Sequence, residues 1–311
     1  MSYLLDAAHR GGILDEVRLR LDVTRDLHRD ADGCAAVLDE LLAMAAPRGP
    51  RKVWVGTARH HTGQYRKVVD VLTHRGSPVE LLALGDFVYP DKGRERNTSW
   101  KTDIPLPEPF WTAMSCLREL VVHGDNLWMA GIRSSTLHRL AVRCTALNPK
   151  CVAAVGLAEL PALTELELWI GDYYDQWDGT VADLETLLAA DGLPALRHLK
   201  VCADIADDLA AALADAPLLR RLTTLDLSTS TLTDQGARSI AANRAAFAHL
   251  AWLNLDGNLL SDTGRSLVAD VSRTVYVGDQ REEPATDDDE PEAELDWRPT
   301  VLDWRGRPWT P

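Results

Sequence analysis

The stretch LTTLDLSTSTLTDQGARSIAA, residues 222–242, decides the fold class of this 311-residue chain. Its first seven residues follow the pattern apolar-x-x-apolar-x-apolar, and the last two apolar residues, Leu225 and Leu227, alternate with polar ones. This two-residue period predicts a half-buried strand. The hydroxyl-rich segment that follows raises a question: is this a site for chemistry, or one unit of a repeat?

The same pattern occurs in seven segments of the chain. They are VELLALG (79–85), LRELVVH (117–123), LHRLAVR (137–143), LTELELW (163–169), LRHLKVC (196–202), LTTLDLS (222–228) and LAWLNLD (250–256). One strand and one helix of this size cannot bury an apolar face alone, so neighbouring copies must stack into a continuous core. The repeat therefore predicts an α/β solenoid, with a curved parallel sheet on its concave face and helices on its convex face.

The segment after the strand, LTDQGARSIAANRAAF (232–247), predicts a helix with Thr233 as its N-cap. We expect its inner stripe to consist of Ala237, Ile240, Ala241 and Phe247. The hydroxyl cluster is then the turn and helix cap of one repeat, and it carries no chemistry.

Two parts of the chain carry a resemblance to known repeats. LTTLDLSTSTLTDQGARSI, followed by LAWLNLDGNLLSDTG, resembles leucine-rich repeats of the ribonuclease-inhibitor-like class, with Asn258 at the asparagine turn. LTELELWIGDYYDQWDGTVADLETLL and the segment from Leu193 to Ser228 are similar to an uncharacterised family of bacterial leucine-rich-repeat proteins. The resemblance covers nearly the whole chain and implies the repeat fold, but no activity. The equivalent turn position elsewhere falls on Asn126, Tyr174 or Thr231.

The pattern divides the chain into four segments. Residues 1–50 are predicted to form an N-terminal cap segment, with an edge strand in ILDEVRLRLDV and a helix over 35–46. Residues 51–278 form the leucine-rich-repeat solenoid, from KVWVG to RTVYVG, with an insertion at 89–111. That insertion is either a functional loop or a segment packed on its own Trp100, Phe110 and Trp111. Residues 279–294 form an acidic disordered linker, and residues 295–311 a Trp/Arg-rich C-terminal tail.

Charge and composition narrow the function classes. The net charge is −14, of which residues 279–294 contribute −8, residues 295–311 contribute +1 and residues 1–278 the remaining −7. This is not the basic field that nucleic acid or an anionic membrane requires, so we expect neither as a partner. With no apolar span or signal peptide visible, the expected location is cytoplasmic. The scattered cysteines, expected to be buried thiols, are Cys34, Cys116, Cys144, Cys151 and Cys202.

Residues between the inward-facing apolar positions should line the concave face in columns about 4.8 Å apart. The face mixes aromatic and charged residues, which favours a non-enzymatic protein- or peptide-binding scaffold over a catalytic surface. The alternative is ordinary cross-strand pairing with no binding role. The predicted binding residues are Trp54, Glu119, His123, Arg143, Glu167, Trp169, Lys200, Asp226, Trp252 and Asn254.

The tail contains the motif Leu-Asp-Trp-Arg twice, at 295–298 and 302–305. It could present the motif to a partner, fold back over the last repeat, or have no role. The alternative function is a carrier or substrate protein whose tail a peptide-modifying partner enzyme recognises, since the resemblance extends to proteins found alongside such enzymes. The tail residues concerned are Trp297, Arg298, Trp304, Arg305 and Trp309.

The chain carries no nucleophile elbow, phosphate loop or HExxH motif, so we expect no enzyme activity, no cofactor and no metal. The weak alternatives are an acid/base group of Glu119, His123 and Arg143, and a metal pair at His60 and His61. The loop 171–179 lacks the spacing of a calcium site at Asp172, Asp175 and Asp178. With Tyr173, Tyr174 and Trp177, it is better interpreted as a protruding recognition loop.

Overall fold

The computed structural model describes residues 4–10, 13–21, 27–43, 49–57, 65–76, 78–85, 103–124, 126–144, 146–171 and 177–281. Its strands are β1 (Leu4–Arg10), β2 (Ile13–Leu21), β3 (Lys52–Thr57), β4 (Leu81–Gly85), β5 (Asp103–Leu106), β6 (Glu119–His123), β7 (Asn126–Met129), β8 (Arg139–Arg143), β9 (Glu165–Trp169), β10 (His198–Cys202), β11 (Thr224–Asp226), β12 (Trp252–Asn254) and β13 (Val275–Tyr276). Its α-helices are α1 (Leu27–Leu42), α2 (Arg66–Arg75), α3 (Glu108–Ala113), α4 (Pro149–Gly156), α5 (Glu185–Leu188), α6 (Ala206–Asp215), α7 (Asp234–Ala242), α8 (Arg244–Phe247) and α9 (Asp262–Val268). Two 3₁₀ turns cover Val181–Leu184 and Leu219–Arg221.

Eleven of the strands form one sheet whose spatial order follows the chain order, β1-β2-β3-β4-β6-β8-β9-β10-β11-β12-β13. The β1–β2 pair is antiparallel, and every later pair in this sheet is parallel. Parallel neighbours need a crossover connection, and helices occupy most of these connections. The predicted α/β class with a large parallel sheet is therefore confirmed.

The core lies on one face of this sheet. Val53, Val55, Leu82 and Leu84 of the strands belong to the same buried cluster as Leu72 of α2 and the buried residues of the other helices. Side chains alternate between the two faces of a strand, so the residues between these positions point away from the helices. We call that second surface the helix-free face.

The N-terminal segment differs from the prediction. The strand expected at the edge, β2, pairs in parallel with β3, and the edge belongs to β1, which forms a hairpin with β2. The helix expected over 35–46 runs from Leu27 to Leu42. The sequence pattern predicted too late a start for this helix, because its first turns contain Asp30, Asp32 and Gly33, which are poor helix formers.

The insertion contributes to the core as far as the structure describes it. From Asp103 onward it forms β5 and enters α3, and β5 pairs in parallel with β7 from the next connection. Phe110 and Trp111 are buried in the main core, and the indole Nε1 of Trp111 donates to the Ala130 carbonyl at 3.1 Å. The described part of the insertion therefore packs into the main core, while Trp100 lies outside the described residues.

Polar side chains join successive turns at the ends of the last strands. The Asn258 side chain is fully buried; its amide donates to the Leu227 and Leu255 carbonyls, and its oxygen accepts from the Leu232 amide. In the preceding unit the equivalent position is Ser230, one residue before the predicted Thr231, and its hydroxyl accepts from the Ala203 amide. These bonds satisfy backbone groups that the turn would otherwise bury unpaired.

Helix starts are also joined from one unit to the next. The Asp207 carboxylate accepts from the Thr233 amide and hydroxyl and from the Gly236 amide. The Asp234 carboxylate makes the same kind of contact with the amide and hydroxyl of Ser261. Thr233 caps α7 as predicted by accepting from the Gln235 amide. The single helix predicted over 232–247 is interrupted near Asn243, so α8 is separate.

The described cysteines are free thiols, and most of them are buried as predicted. Cys116 is the exception, because it lies exposed in the turn after α3. Among the described helices, none combines the length and apolarity that a bilayer crossing requires.

Candidate binding face

The parallel register arranges the helix-free face into columns. The first column is Lys52, Leu81, Glu119, Arg139, Glu165, His198, Thr224 and Trp252; the second is Trp54, Ala83, Val121, Ala141, Glu167, Lys200, Asp226 and Asn254; the third is Gly56, Gly85, His123, Arg143, Trp169 and Cys202. This is the order that the sequence predicts. Ser228 and Asp256 follow the ends of β11 and β12 and continue the third column outside the paired residues.

Glu167 is the centre of an ionic network on this face. The Arg143 guanidinium binds its carboxylate through two bonds, from Nε to Oε1 at 2.8 Å and from Nη2 to Oε2 at 3.1 Å. Arg139 Nη2 lies 3.2 Å from the same carboxylate, and the indole Nε1 of Trp169 donates to it at 2.9 Å. Bidentate and charge-assisted bonds are the strongest kind in proteins, so this network is held in one geometry.

The electrostatics agree with the contacts. Burial by itself would raise the pKa of Glu167, but Arg143, Lys200 and Arg139 outweigh it and lower the pKa to about 2, from an ordinary value of 4.5. Glu167 is therefore ionised at neutral pH, although only 9% of its side-chain surface is exposed. A buried charge persists only when it is paired, as it is here.

Trp169 is enclosed by cations. The guanidinium carbon of Arg143 lies 5.4 Å from the centroid of its ring, and Lys200 Nζ lies 6.0 Å from it. The His123 ring lies 6.4 Å away in a tilted arrangement. Cations at these distances are attracted to the indole face. The aromatic ring is therefore fixed within the network.

Lys200 connects this network to the next strand. Its Nζ lies 3.2 Å from the Ser228 hydroxyl and 3.8 Å from Asp226 Oδ2. The Ser228 amide in turn donates to Asp226 Oδ1 at 2.8 Å. In the strand register Lys200 therefore lies beside both Glu167 and Asp226, and it forms an ion pair with Asp226. Because Lys200 lies between two carboxylates, the arrangement favours a structural ion pair over activation of Ser228 as a nucleophile.

The two ends of the face differ from its centre. Towards β3, Trp54 forms a buried apolar cluster with Ala83, Val121 and Ala141. Towards β13, Trp252 contacts Tyr276 edge to face, with ring centroids 5.4 Å apart, and Tyr276 is 46% exposed. The face therefore runs from apolar and buried, through charged and paired, to aromatic and accessible.

Accessibility divides the predicted binding residues into two groups. Trp54, Arg143, Glu167, Trp169 and Asp226 are buried, so they support the surface from below. Glu119, His123, Lys200, Trp252 and Asn254 are half-buried and can contact a ligand.

Further accessible residues of the face were not among the predicted binding residues. Arg139, Glu165 and His198 are half-buried first-column neighbours, and Arg139 and Glu165 approach to 3.6 Å. Tyr276 was also not predicted, although RTVYVG was assigned to the last strand. Extending the second column by one more strand would have identified it, since Asn254 pairs with Tyr276.

The described residues do not have the geometry that the weaker sequence alternatives require. Arg143 binds Glu167, and Glu119 lies four residues from His123 at the other end of β6, about 13 Å along an extended strand. Trp177, expected in a protruding loop, is buried, and its amide donates to Asp204 at 2.8 Å. Asp178 is exposed. The described side chains include no group of three or more His, Cys, Asp or Glu residues arranged to hold a metal ion.

Several predictions fall outside the described residues. They concern His60 and His61, the loop residues Asp172, Tyr173, Tyr174 and Asp175, and the tail residues Trp297, Arg298, Trp304, Arg305 and Trp309.

Comparison with known proteins yields a similarity of fold. No protein-family model matches the chain, and no curated protein matches it. A crystal structure of a protein from Bacteroides fragilis is similar, with a TM-score of 0.68 and 22% sequence identity over 85% of this chain and 75% of that one. At this identity the similarity extends to the fold and not to the function.

Proposed function

We propose that this chain is a leucine-rich-repeat solenoid of the ribonuclease-inhibitor-like class that acts as a non-enzymatic scaffold. Its helix-free face, as the concave surface, binds a protein or an extended peptide. The free thiols at Cys144, Cys151 and Cys202 fit a reducing compartment such as the bacterial cytoplasm.

The spacing of the last units supports the repeat assignment. In-register residues Leu199, Leu225 and Leu253 are separated by 26 and 28 positions. The side-chain bridges of Asp207 and Asp234 also recur, 27 positions apart. A helix is wider than a strand, so a stack of such units curves with the strands on the inner side.

The observation that carries the binding proposal is the layered arrangement around Glu167. Buried Arg143, Glu167 and Trp169 satisfy one another, and Glu167 also holds the half-buried Arg139. A surface whose groups are already positioned loses little conformational entropy on binding. The accessible row of Arg139, Glu165, His198 and Trp252 then offers charge of both signs and an aromatic anchor.

Affinity capture with matched variants tests the proposal. We expect the wild type to retain a partner from lysate of the source organism. The variant His198→Ala/Trp252→Ala should retain at least tenfold less of that partner. The control is Trp128→Ala/His138→Ala, which removes the same residue types from exposed positions outside the face. Equal retention by both double variants, at equal thermal stability, would refute a binding role for the face.

A further inference from the structure

The last strand of the sheet has an open edge. Within the described chain, β13 pairs with β12 and with no strand on its other side. The Thr274 and Tyr276 carbonyls accept from the Leu253 and Leu255 amides, so the backbone groups of Val275 point away from β12. An unpaired edge of this kind readily accepts another strand, and proteins usually cover or charge it.

The end of the core beside this edge is incompletely covered. Val275 and Val277 pack against the core but stay half-buried, and Leu267 of α9 is 36% exposed. A stack of strand–helix units needs a cap at its last unit, because that unit has no neighbour to bury its apolar side. The cap expected here has apolar side chains on the core side of one more strand.

The repeat spacing places that strand in the C-terminal tail, where Trp297 and Leu302 both fall in the expected range. In-register positions are 28 residues apart between Leu225 and Leu253 and 22 apart between Leu253 and Val275. The first core-facing residue of the next strand is therefore expected between positions 297 and 303. Leu302 lies 27 positions after Val275, and Trp304 lies 27 positions after Val277. Leu302 and Trp304 alternate with Asp303 and Arg305, which is the pattern of a half-buried strand.

The chain leaves the described part of the structure at a suitable place. The Arg281 amide donates to the Asn258 carbonyl at 2.7 Å, which fixes the chain at the end of the sheet from which the crossovers depart. Residues 282–301 then provide twenty positions, close to the length of the preceding connections. Even partly extended, that length exceeds the return path along a short strand.

Charge complementarity agrees with the same register. A parallel strand with Leu302 beside Val275 sets Arg305 beside Gly278, whose amide donates to the Asp256 carboxylate. Burial raises the pKa of Asp256, and the negative charges of Asp279 and Asp226 raise it further. A guanidinium at this point would offset that repulsion.

We propose that residues 302–305 of this chain dock on the open edge of β13 as an additional parallel strand. Leu302 and Trp304 then cover the apolar end of the core, and Arg305 lies beside Asp256. The tail acts as an intramolecular cap of the solenoid, which also shields the edge from pairing with another chain. This inference is independent of the binding role of the face.

Hydrogen exchange of the full-length protein tests the docking. In the wild type we expect slow exchange in the segment 273–278, and at least tenfold faster exchange there in Leu302→Asp/Trp304→Asp. The matched control Leu295→Asp/Trp297→Asp changes the first copy of the motif and should exchange like the wild type. The proposal is overturned by equal exchange in the wild type and the 302/304 variant, or by an effect confined to the control.

Dilution identifies the chain that supplies the strand. Protection of 273–278 that persists unchanged over a hundredfold dilution supports docking within one chain. Protection that disappears on dilution would mean that a second copy provides the strand and would overturn the intramolecular cap. The capture experiment on His198 and Trp252 can succeed or fail separately, because neither variant alters residues 302–305.

Discussion

Glu167 is the single residue on which the central network depends most. It binds two arginines and an indole, and its carboxylate stays ionised although it is buried. The column pattern predicted the position of Glu167 beside Lys200. It did not predict the bidentate bond from Arg143. A column gives only the neighbours within that column, whereas Arg143 belongs to the third column and Glu167 to the second.

Replacing Glu167 by Gln should destabilise the protein by about 3 kcal/mol at pH 7, because a pKa lowered from 4.5 to about 2 corresponds to about 1.4 kcal/mol per unit. A lowered carboxyl pKa stabilises the fold at pH values above 4.5, and this contribution disappears as the pH falls from 4.5 to about 2. Urea unfolding of wild type and variant at several pH values measures it.

The control for this prediction is Glu165→Gln, which removes a more exposed carboxylate of the same strand, 25% exposed at its side chain. We expect it to cost less than about 1 kcal/mol. Similar losses for the two variants, or a difference at Glu167 that does not shrink as the pH falls, would contradict the central position of Glu167.

Thr229 is strained in the backbone. Its φ of 60° is the only positive value at a non-glycine residue in the described chain, and the next unit has Gly257 with φ 66° at the equivalent position. Thr229→Gly should therefore stabilise the protein by about 0.5–1 kcal/mol, since left-handed strain of about 1–2 kcal/mol exceeds the entropic cost of glycine. Denaturant unfolding measures it, and the converse Gly257→Thr should destabilise. A loss of stability in Thr229→Gly would show that its hydroxyl contacts outweigh the strain.

At the scale of the element, the helix starts of the last units depend on glycine as well as on a carboxylate. A Cβ on Gly264 would lie 2.1 Å from Asp234 Oδ1, the atom that accepts from the Ser261 amide. The sequence predicted the cap Thr233 in its own helix, and the structure adds Ser261 as the corresponding cap of α9. The sequence did not predict that Asp207 and Asp234 also bind the following unit, because that contact spans 26 to 29 positions and requires the stacked geometry.

Gly264→Ala should therefore lower the free energy of unfolding by about 1–3 kcal/mol, by displacing the Asp234 carboxylate from its partners. The penalty should shrink by at least half when Gly264→Ala is made in an Asp234→Ala background, and a double-mutant cycle by urea unfolding measures this coupling. An undiminished penalty in that background would place the cost in the helix backbone instead of in the bridge between units.

At the scale of the whole molecule, the sequence predicted most of the sheet because one residue pattern recurs in seven of its strands, β4, β6 and β8 to β12. The apolar-x-apolar pair of each of these segments points to the core, so the parallel register followed directly and the columns matched it. The pattern failed where the repeat ended. The strand β1 has no counterpart in the repeat, and the insertion formed β5 beside β7, a pairing between two connections that no local pattern encodes.

The sequence also did not predict which side chains of the helix-free face are accessible. Trp169 and Trp252 occupy the same face, yet Trp169 is buried among cations and Trp252 is half-buried beside an exposed tyrosine. Which side chain covers which depends on the paths of the long arginine and lysine side chains. These paths are set by several strands together.

Hydroxyl-radical footprinting of the protein, free and bound to its captured partner, tests the central claim most directly. We expect the labelling of His198 and Trp252 on the helix-free face to fall at least twofold on binding, while the exposed Trp128 and His138 keep their labelling. If Trp128 and His138 become protected and His198 and Trp252 do not, the partner binds elsewhere and the helix-free face is not the binding surface.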